Sequence, residues 1–303
     1  MRAKDYRVSK EEMLNVISII SEDTSEEFLK IVESVYPSAY RMGLNNAARV
    51  AMFVANCAHE SSGFMRLEEN MNYSAKRLRQ VWPSRFRSSA TARKYAYNPE
   101  GLAAYVYNGR MGNRPGTDDG WRYRGSGFIQ LTGRSNFEKY AKITGTYIDV
   151  DPDTLRKDKH LALITAIAYF CHRRYKGKSL LEWADLGSHI NVCRGINGGT
   201  HGLNERTANA RLILDVLKED EGGFTLPIVK RGSKGLRVRP VQYKLKLLGY
   251  KIYNVDGIFG KGTEAAVKHF QSRNDLKPDG IVGGKTLTAI NKALFLKGYG
   301  DKV

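Results

Sequence analysis

Two carboxyl residues nine positions apart, Glu60 and Glu69, have the types and spacing to do chemistry. Glu60 continues by three residues the helical spacing of Phe53 and Cys57, which puts a carboxyl on the apolar face of a helix ended by Gly63. Burial disfavours the charged form and raises a carboxyl pKa, which suits a general acid near neutral pH. Glu69 lies in Leu67-Glu-Glu-Asn-Met-Asn-Tyr-Ser74, a polar segment with no helical stripe, where a carboxylate stays ionised. Two carboxyls in unlike environments are what glycoside hydrolysis requires: one protonates the leaving oxygen, the other activates water or attacks. The competing reading of Glu60 is a helix-end residue whose head reaches solvent.

Other chemistries fit less well. His59-Glu60 begins like HExxH, but position 63 is Gly, so the zinc-protease helix is absent and the remaining histidines do not cluster. Neither a metal nor a cofactor is expected. Cys57, Cys171 and Cys193 lack CxxC spacing, so a disulfide scaffold or structural zinc is not expected. Cys57 and Cys171 sit in apolar helical stretches, the setting of inert core thiols; Cys193 with His201 is a weak nucleophile candidate. Arg122-Tyr-Arg-Gly-Ser-Gly127 lacks the Gly-Lys-Ser/Thr ending of a phosphate loop.

The elements that must position these residues read as mostly helical. Ser9-Lys-Glu-Glu12 and Thr24-Ser-Glu-Glu27 are capping boxes, and Asn45 or Asn46 can cap the helix bearing Val50, Phe53, Val54 and Cys57. A buried helix is expected near Leu161–Tyr169. Trp82–Gly133 is loop-rich, basic and aromatic, with Phe128–Thr132 as a possible short strand. The segment 219–236 carries four glycines and a proline and passes from acidic to basic, which reads as a linker. Beyond it, Asp256-Gly-Ile-Phe-Gly-Lys-Gly-Thr263 recurs 23 residues later as Asp279-Gly-Ile-Val-Gly-Gly-Lys-Thr286. Each copy reads as a tight turn, a core plug and a helix cap, so this part is a compact three-helix module. The expected division is a catalytic domain at 1–220, a linker at 221–236 and a small module at 237–303.

Composition agrees with this division. At 303 residues with 42% hydrophobic content the chain can bury real cores. The net charge is +18, of which +11 falls between Thr225 and Val303, which suggests a polyanionic partner. No stretch approaches the roughly 18–20 apolar residues of a membrane span. The first residues lack the apolar core of a secretory signal, so folding in the cytosol is the expectation.

Several strings resemble one family. Ala58-His-Glu-Ser-Ser-Gly-Phe64, Glu69-Asn-Met-Asn-Tyr-Ser-Ala75 and Trp82-Pro-Ser-Arg-Phe86 resemble glycoside hydrolase family 19, in particular its bacteriophage endolysin branch. The likeness continues through Tyr107-Asn-Gly-Arg-Met-Gly-Asn113, Gly120-Trp-Arg-Tyr-Arg-Gly-Ser-Gly-Phe-Ile-Gln-Leu-Thr-Gly133 and Ile196-Asn-Gly-Gly199, covering roughly residues 10–218. Leu247-Leu-Gly-Tyr250 and the two Asp-Gly-Ile turns resemble peptidoglycan-binding domains of wall hydrolases. The implied fold is mainly α, a lysozyme-like two-lobed helical catalytic domain followed by a small three-helix wall-binding domain.

By that resemblance Glu60 matches the family's general acid and Glu69 its general base, in an inverting mechanism that needs roughly 6.5–9.5 Å between carboxyls. Glu68 competes with Glu69, and the register of Asn70-Met-Asn-Tyr73 favours Glu69. Thr132 matches a water-holding position, Gln130 and Asn197 match substrate-binding amides, and Tyr123 and Arg206 are further cleft contacts. Asn197, beside two glycines, could instead stabilise a turn. Tyr73, Trp82, Tyr95, Tyr107, Trp121 and Tyr123 suit an open sugar-binding cleft, and Arg85, Arg87, Arg110, Arg122 and Arg124 suit a carboxylate-bearing substrate. The nine-residue gap is shorter than in plant chitinases of the family.

The expected protein is a monomeric endolysin that cleaves the β-1,4 glycan of bacterial peptidoglycan, bound through cleft and C-terminal module. It would stay in the host cytoplasm until lysis and then act on the wall. The rivals are a lytic transglycosylase or chitinase, and a basic wall- or nucleic-acid-binding protein without activity; nucleic acid is not the expected partner.

Overall fold

The structure, a computed structural model, describes residues 2–23, 25–218, 228–234 and 238–294. It is mostly helical, with three separate apolar cores. The largest gathers Met13, Val16 and Ile17 from Lys10–Ile20, Phe28 and Val32 from Glu26–Arg41, the Ala47–Glu60 helix, Lys159–His172 and Leu203–Lys218. The second is small: Met71, Leu78, Phe86, Ala92, Leu102, Ala103 and Val106 come together from Ala75–Val81, Ser89–Tyr95 and Pro99–Tyr107. These two cores are the two lobes expected from the sequence.

Local chemistry sets the helix starts. Ser9 and Glu12 form the expected capping box, and Asn46 caps Ala47–Glu60 through its side-chain oxygen and the Arg49 N–H. The second helix is capped by Ser25, one residue beyond Thr24, which lies outside the described residues. Within Ala47–Glu60 the expected stripe of Val50, Phe53, Val54 and Cys57 is fully buried. Burial extends to nearly every position from Ala47 to Ala58, because other helices surround this one.

The structure departs from the expected short strand at Phe128–Thr132. Residues 127–130 form a turn, and only Leu131 bridges back, to Ser126. Gln130 adopts a left-handed φ of 53° to close that turn. Among the described residues the one sheet is the short hairpin pairing Arg174–Tyr175 with Lys178–Ser179.

The third core is the C-terminal module, built on the helices Arg239–Leu247, Lys261–Arg273 and Gly284–Leu294. Here the expected linker must be shortened. Val229 pairs with Val282 through backbone bonds of 3.1 and 2.9 Å and is buried in the module core. Gly232 and Ser233 bond to Phe259. Residues 228–234 therefore belong to the module, and the rest of the proposed linker, 221–227 and 235–236, lies outside the described residues. On its other side the module meets the large lobe where Arg239 pairs with Glu22.

The internal repeat has a physical basis that the repeat itself does not reveal. Gln242, 1% exposed, donates to Asp256 Oδ1, the Ile258 carbonyl and Thr263 Oγ1 at 2.9, 3.1 and 3.0 Å, and accepts from the Gly257 N–H at 2.9 Å. Gln271 repeats the pattern with Asp279, Ile281, Thr286 and Gly280 at 2.9, 2.9, 3.2 and 2.9 Å. Each Asp-Gly-Ile turn is thus held by a buried glutamine on the preceding helix, with its polar atoms satisfied. Gln271→Leu leaves the Gly280 N–H and Thr286 hydroxyl without this partner. It should remove about 2–3 kcal/mol from the module's unfolding transition, measured by denaturant melts of the full chain.

Candidate active site

Glu60 is the last residue of Ala47–Glu60, and its setting is not the apolar one expected. Its Oε1 accepts from Arg206 Nη2 at 2.6 Å, and its side chain is 17% exposed. Arg206 itself is 2% exposed. Its Nη1 donates to Asn56 Oδ1 at 2.8 Å and its Nε to the His201 carbonyl at 3.2 Å. The guanidinium therefore ties the Leu203–Lys218 helix to the Glu60 helix and aims the carboxyl. Arg206 is a positioning residue rather than the cleft contact expected. Asn56 was missed by the sequence reading, although a polar residue between Ala55 and Cys57 in an apolar run was a usable signal.

Glu69 is also in a different setting from the one expected. It lies where the chain leaves the large core at Leu67 and enters the small one at Met71. Its backbone N–H donates to the Gly125 carbonyl at 2.9 Å, and Gly127 N–H donates to the Leu67 carbonyl at 2.8 Å. This pairing turns its side chain inward. Oε1 accepts from the Tyr107 hydroxyl at 2.7 Å and Oε2 from the Gly125 N–H at 3.2 Å. Burial pushes the carboxyl above its ordinary value, against the pull of these two hydrogen bonds and of nearby Arg124. The raised carboxyl is thus Glu69, whereas Glu60, half-buried like it, carries the ion pair. Glu68 points elsewhere: it pairs with Arg124, whose guanidinium lies 3.7 Å from the Trp121 ring centroid.

Tyr107 is held in turn by the loop that follows it. Its carbonyl accepts from Asn113 Nδ2 at 3.1 Å, and Asn113 Oδ1 accepts from the Arg134 N–H at 2.8 Å. Asp119, with no exposed surface, binds both Arg114 and Arg134, and Arg134 holds it well below the usual carboxylate range.

The other expected residues separate into two groups. Gln130 stands beside Glu69: a Cβ added to Gly125 would lie 2.9 Å from Gln130 Oε1 and 3.0 Å from Glu69 Oε2. Gln130 donates to the Gly127 carbonyl, and the Thr132 hydroxyl donates to the Gln130 carbonyl at 2.9 Å, leaving the Thr132 oxygen able to accept. Asn197 is on the Arg206 side. Its Oδ1 accepts from the Gly199 N–H at 2.7 Å and its Nδ2 donates to the His201 carbonyl, so it does stabilise the turn that leads into the last helix of the domain. Tyr123 is a correction. It is 1% exposed, packs edge-on against Phe137 and donates to the Asp149 carbonyl, so it is core and faces no cleft.

All three cysteines are free and buried, and burial raises each thiol, Cys171 to about 12. Cys193 Sγ faces the carbonyl of His201 rather than its ring, which removes the Cys–His candidate. No group of three or more metal-ligating side chains lies together among the described residues.

A Haemophilus influenzae protein described as glycosyl hydrolase family 19 domain-containing is 37% identical to this chain over 186 residues, 61% of the chain and 88% of that protein. The chain belongs to glycosyl hydrolase family 19. It is a glycosidase. The model for a peptidoglycan binding domain matches residues 234–290. Spore cortex-lytic enzymes of Bacillus cereus and Bacillus subtilis are 39% and 37% identical over 70 and 83 residues, and the chain spans only 27% of each. Among solved structures, a bacterial family 19 chitinase superposes with a TM-score of 0.45 at 18% identity, covering 72% of this chain and 98% of its own. Chitinase C from Streptomyces griseus gives 0.44 at 17%, covering 69% and 76%.

Two outcomes follow from the Glu69 pocket. Tyr107→Phe removes a hydrogen bond that favours the ionised carboxylate, so the Glu69 pKa should rise further. The acid limb of the kcat/KM profile should then move to higher pH, read on a soluble glycan across pH 3–8 (about that range spans carboxyl titration). Gly125→Ala puts a methyl against the Glu69 and Gln130 head groups without a forbidden φ. Displacing a reacting group by a fraction of an ångström should lower kcat about tenfold or more, with the melting temperature little changed.

Proposed function

We propose that this glycosidase hydrolyses the β-1,4 glycan of bacterial peptidoglycan, and that its C-terminal module holds it on the wall. The observation that carries the reading is the joining in one chain of a family 19 domain to a segment matching a peptidoglycan binding domain. Tethering raises the effective concentration of enzyme on an insoluble polymer, and the +18 net charge favours an anionic envelope. The names of the spore cortex-lytic enzymes that resemble part of the chain point to the same class of polymer.

In this proposal Glu60 protonates the leaving oxygen and Glu69 acts as base on water, with inversion. Thr132 accepts a hydrogen from that water, and the Gln130 and Asn197 amides touch the sugar. The Tyr107 hydroxyl and Gly125 N–H stabilise the Glu69 carboxylate once it is ionised. The endolysin role extends the proposal: the protein collects in the host cytoplasm as a monomer and reaches the wall at lysis.

A second reading, with Glu69 as the acid and Glu60 as the base, has one specific observation behind it: burial raises Glu69, while Glu60 carries an arginine. A carboxyl raised by burial is suited to act as the acid. The two assignments separate by chemical rescue. An acid variant regains rate on an aryl glycoside whose leaving group needs no proton, whereas a base variant regains it with azide.

The test of the reaction is digestion of purified peptidoglycan, borohydride reduction and mass spectrometry of the new sugar ends. Reduced muramic acid ends that vanish in Glu60→Gln are expected; the glutamine can still accept from Arg206, so the fold is kept. Anhydro ends would mean transglycosylation, and freed peptides without new sugar ends would refute the glycosidic reading of this substrate.

A further inference from the structure

Away from the two glutamates, the most distinctive feature is a basic groove in the small lobe. From Asn70 to Pro99 the chain has seven basic residues and no aspartate or glutamate. This stretch forms the Ala75–Val81 and Ser89–Tyr95 helices and the loop between them. They enclose an open cavity of about 580 Å³ lined by Lys76, Arg79, Arg87 and Arg93, with Pro83 and Phe86 as its apolar part. All four cations are exposed, and none makes an ion pair among the described residues; Arg79 donates to the Ser89 hydroxyl at 3.0 Å. Elsewhere in the domain, Arg49, Arg124, Arg134, Arg156 and Arg206 each have a carboxylate partner.

Four cations gathered at one opening repel one another and create a positive potential that attracts anions. Guanidinium groups match carboxylates in a two-pronged geometry, and the apolar lining suits the short alkyl chains that bear them. An aromatic row connects the groove to the catalytic region. Tyr73, four residues beyond Glu69, lies 5.3 Å from Trp82, and Trp82 lies 6.3 Å from Phe86. Tyr73 and Trp82 are half-buried and Phe86 is 1% exposed, so these rings form the small core that joins the wall of the groove to the strip bearing Glu69.

We infer that this groove is a specificity site for the carboxylates of peptide branches on the glycan being cut. The inference rests on the peptidoglycan reading above. It assigns the choice of a peptide-bearing over a bare glycan to Lys76, Arg79, Arg87 and Arg93, apart from the C-terminal module.

The experiment compares the wild-type full chain with the double variant Arg87→Gln/Arg93→Gln on peptidoglycan and on the same glycan stripped of its peptides by an amidase. Both replaced side chains are exposed, so folding is kept. Two exposed ion pairs together amount to about fivefold. The ratio of kcat/KM on peptide-bearing to stripped glycan should fall about that much in the variant, through KM, and should fall in the wild type as salt is raised. An unchanged ratio overturns the inference. In parallel, a soluble stem peptide and polyphosphate are each titrated into Glu60→Gln with and without the arginine substitutions. Weaker peptide binding in the arginine variant supports the inference. Weaker polyphosphate binding with peptide binding unmoved makes the groove a phosphate site and refutes it. If the wild type cuts neither glycan, the peptidoglycan reading fails, and the titration alone decides the groove.

Discussion

A charge buried away from water must find its partners inside the protein, and Arg206 finds them in Glu60, Asn56 and the His201 carbonyl. That one guanidinium joins three separated parts of the chain: the helix ending at Glu60, the turn after Asn197 and the last helix of the large lobe. The His201 carbonyl is presented by a turn that Asn197 organises and that Gly202, with φ +70° against the His59 ring, makes tight. Breaking such a group costs far more than a surface pair, because the remaining partners stay buried and unsatisfied. The aim of the Glu60 carboxyl is therefore set by the packing of the whole lobe rather than by its own helix.

Glu69 is constrained in a complementary way. It sits on the strip of chain between two cores, where main-chain pairing with Gly125–Gly127 decides which way the side chain points. Gly125 lets backbone, Gln130 and Glu69 approach so closely that a methyl group would displace the two side chains. Tyr107 belongs to the small lobe, so the Tyr107–Glu69 bond is also a link from that lobe to the strip. The buried Asp119, with Arg114 and Arg134, fixes the loop after Tyr107 and keeps its hydroxyl in place. Two carboxyls nine residues apart thus reach different electrostatic settings through contacts made 38 residues away, from Glu69 to Tyr107, and 146 residues away, from Glu60 to Arg206.

The C-terminal module solves a smaller problem twice. Two turns of nearly the same sequence are each clamped by a buried glutamine, with four matching hydrogen bonds. The spacing from glutamine to turn differs, 14 residues in one and 8 in the other, so a search for repeats finds the turns and misses the clamps. Positive charge is likewise distributed for two purposes. The module carries most of the net excess, while the stretch from Asn70 to Pro99 in the small lobe holds a local concentration with no carboxylate within it.

By itself the sequence determined the helical class, the caps at Ser9 and at Asn45 or Asn46, the buried stripe of the Glu60 helix, the turn repeat and the family, because these follow from neighbours within a few residues or from ordered motifs. It also singled out Glu60, Glu69, Gln130 and Thr132. Only the tertiary structure decided the environment of each. Helical spacing implies that Glu60 faces the core, but it cannot say that a guanidinium waits there. A polar string implies solvent around Glu69, but pairing with a distant glycine turns the carboxyl inward. Tyr123 went to the core and residues 228–234 joined the module for the same reason: burial is a sum over neighbours that local sequence does not contain.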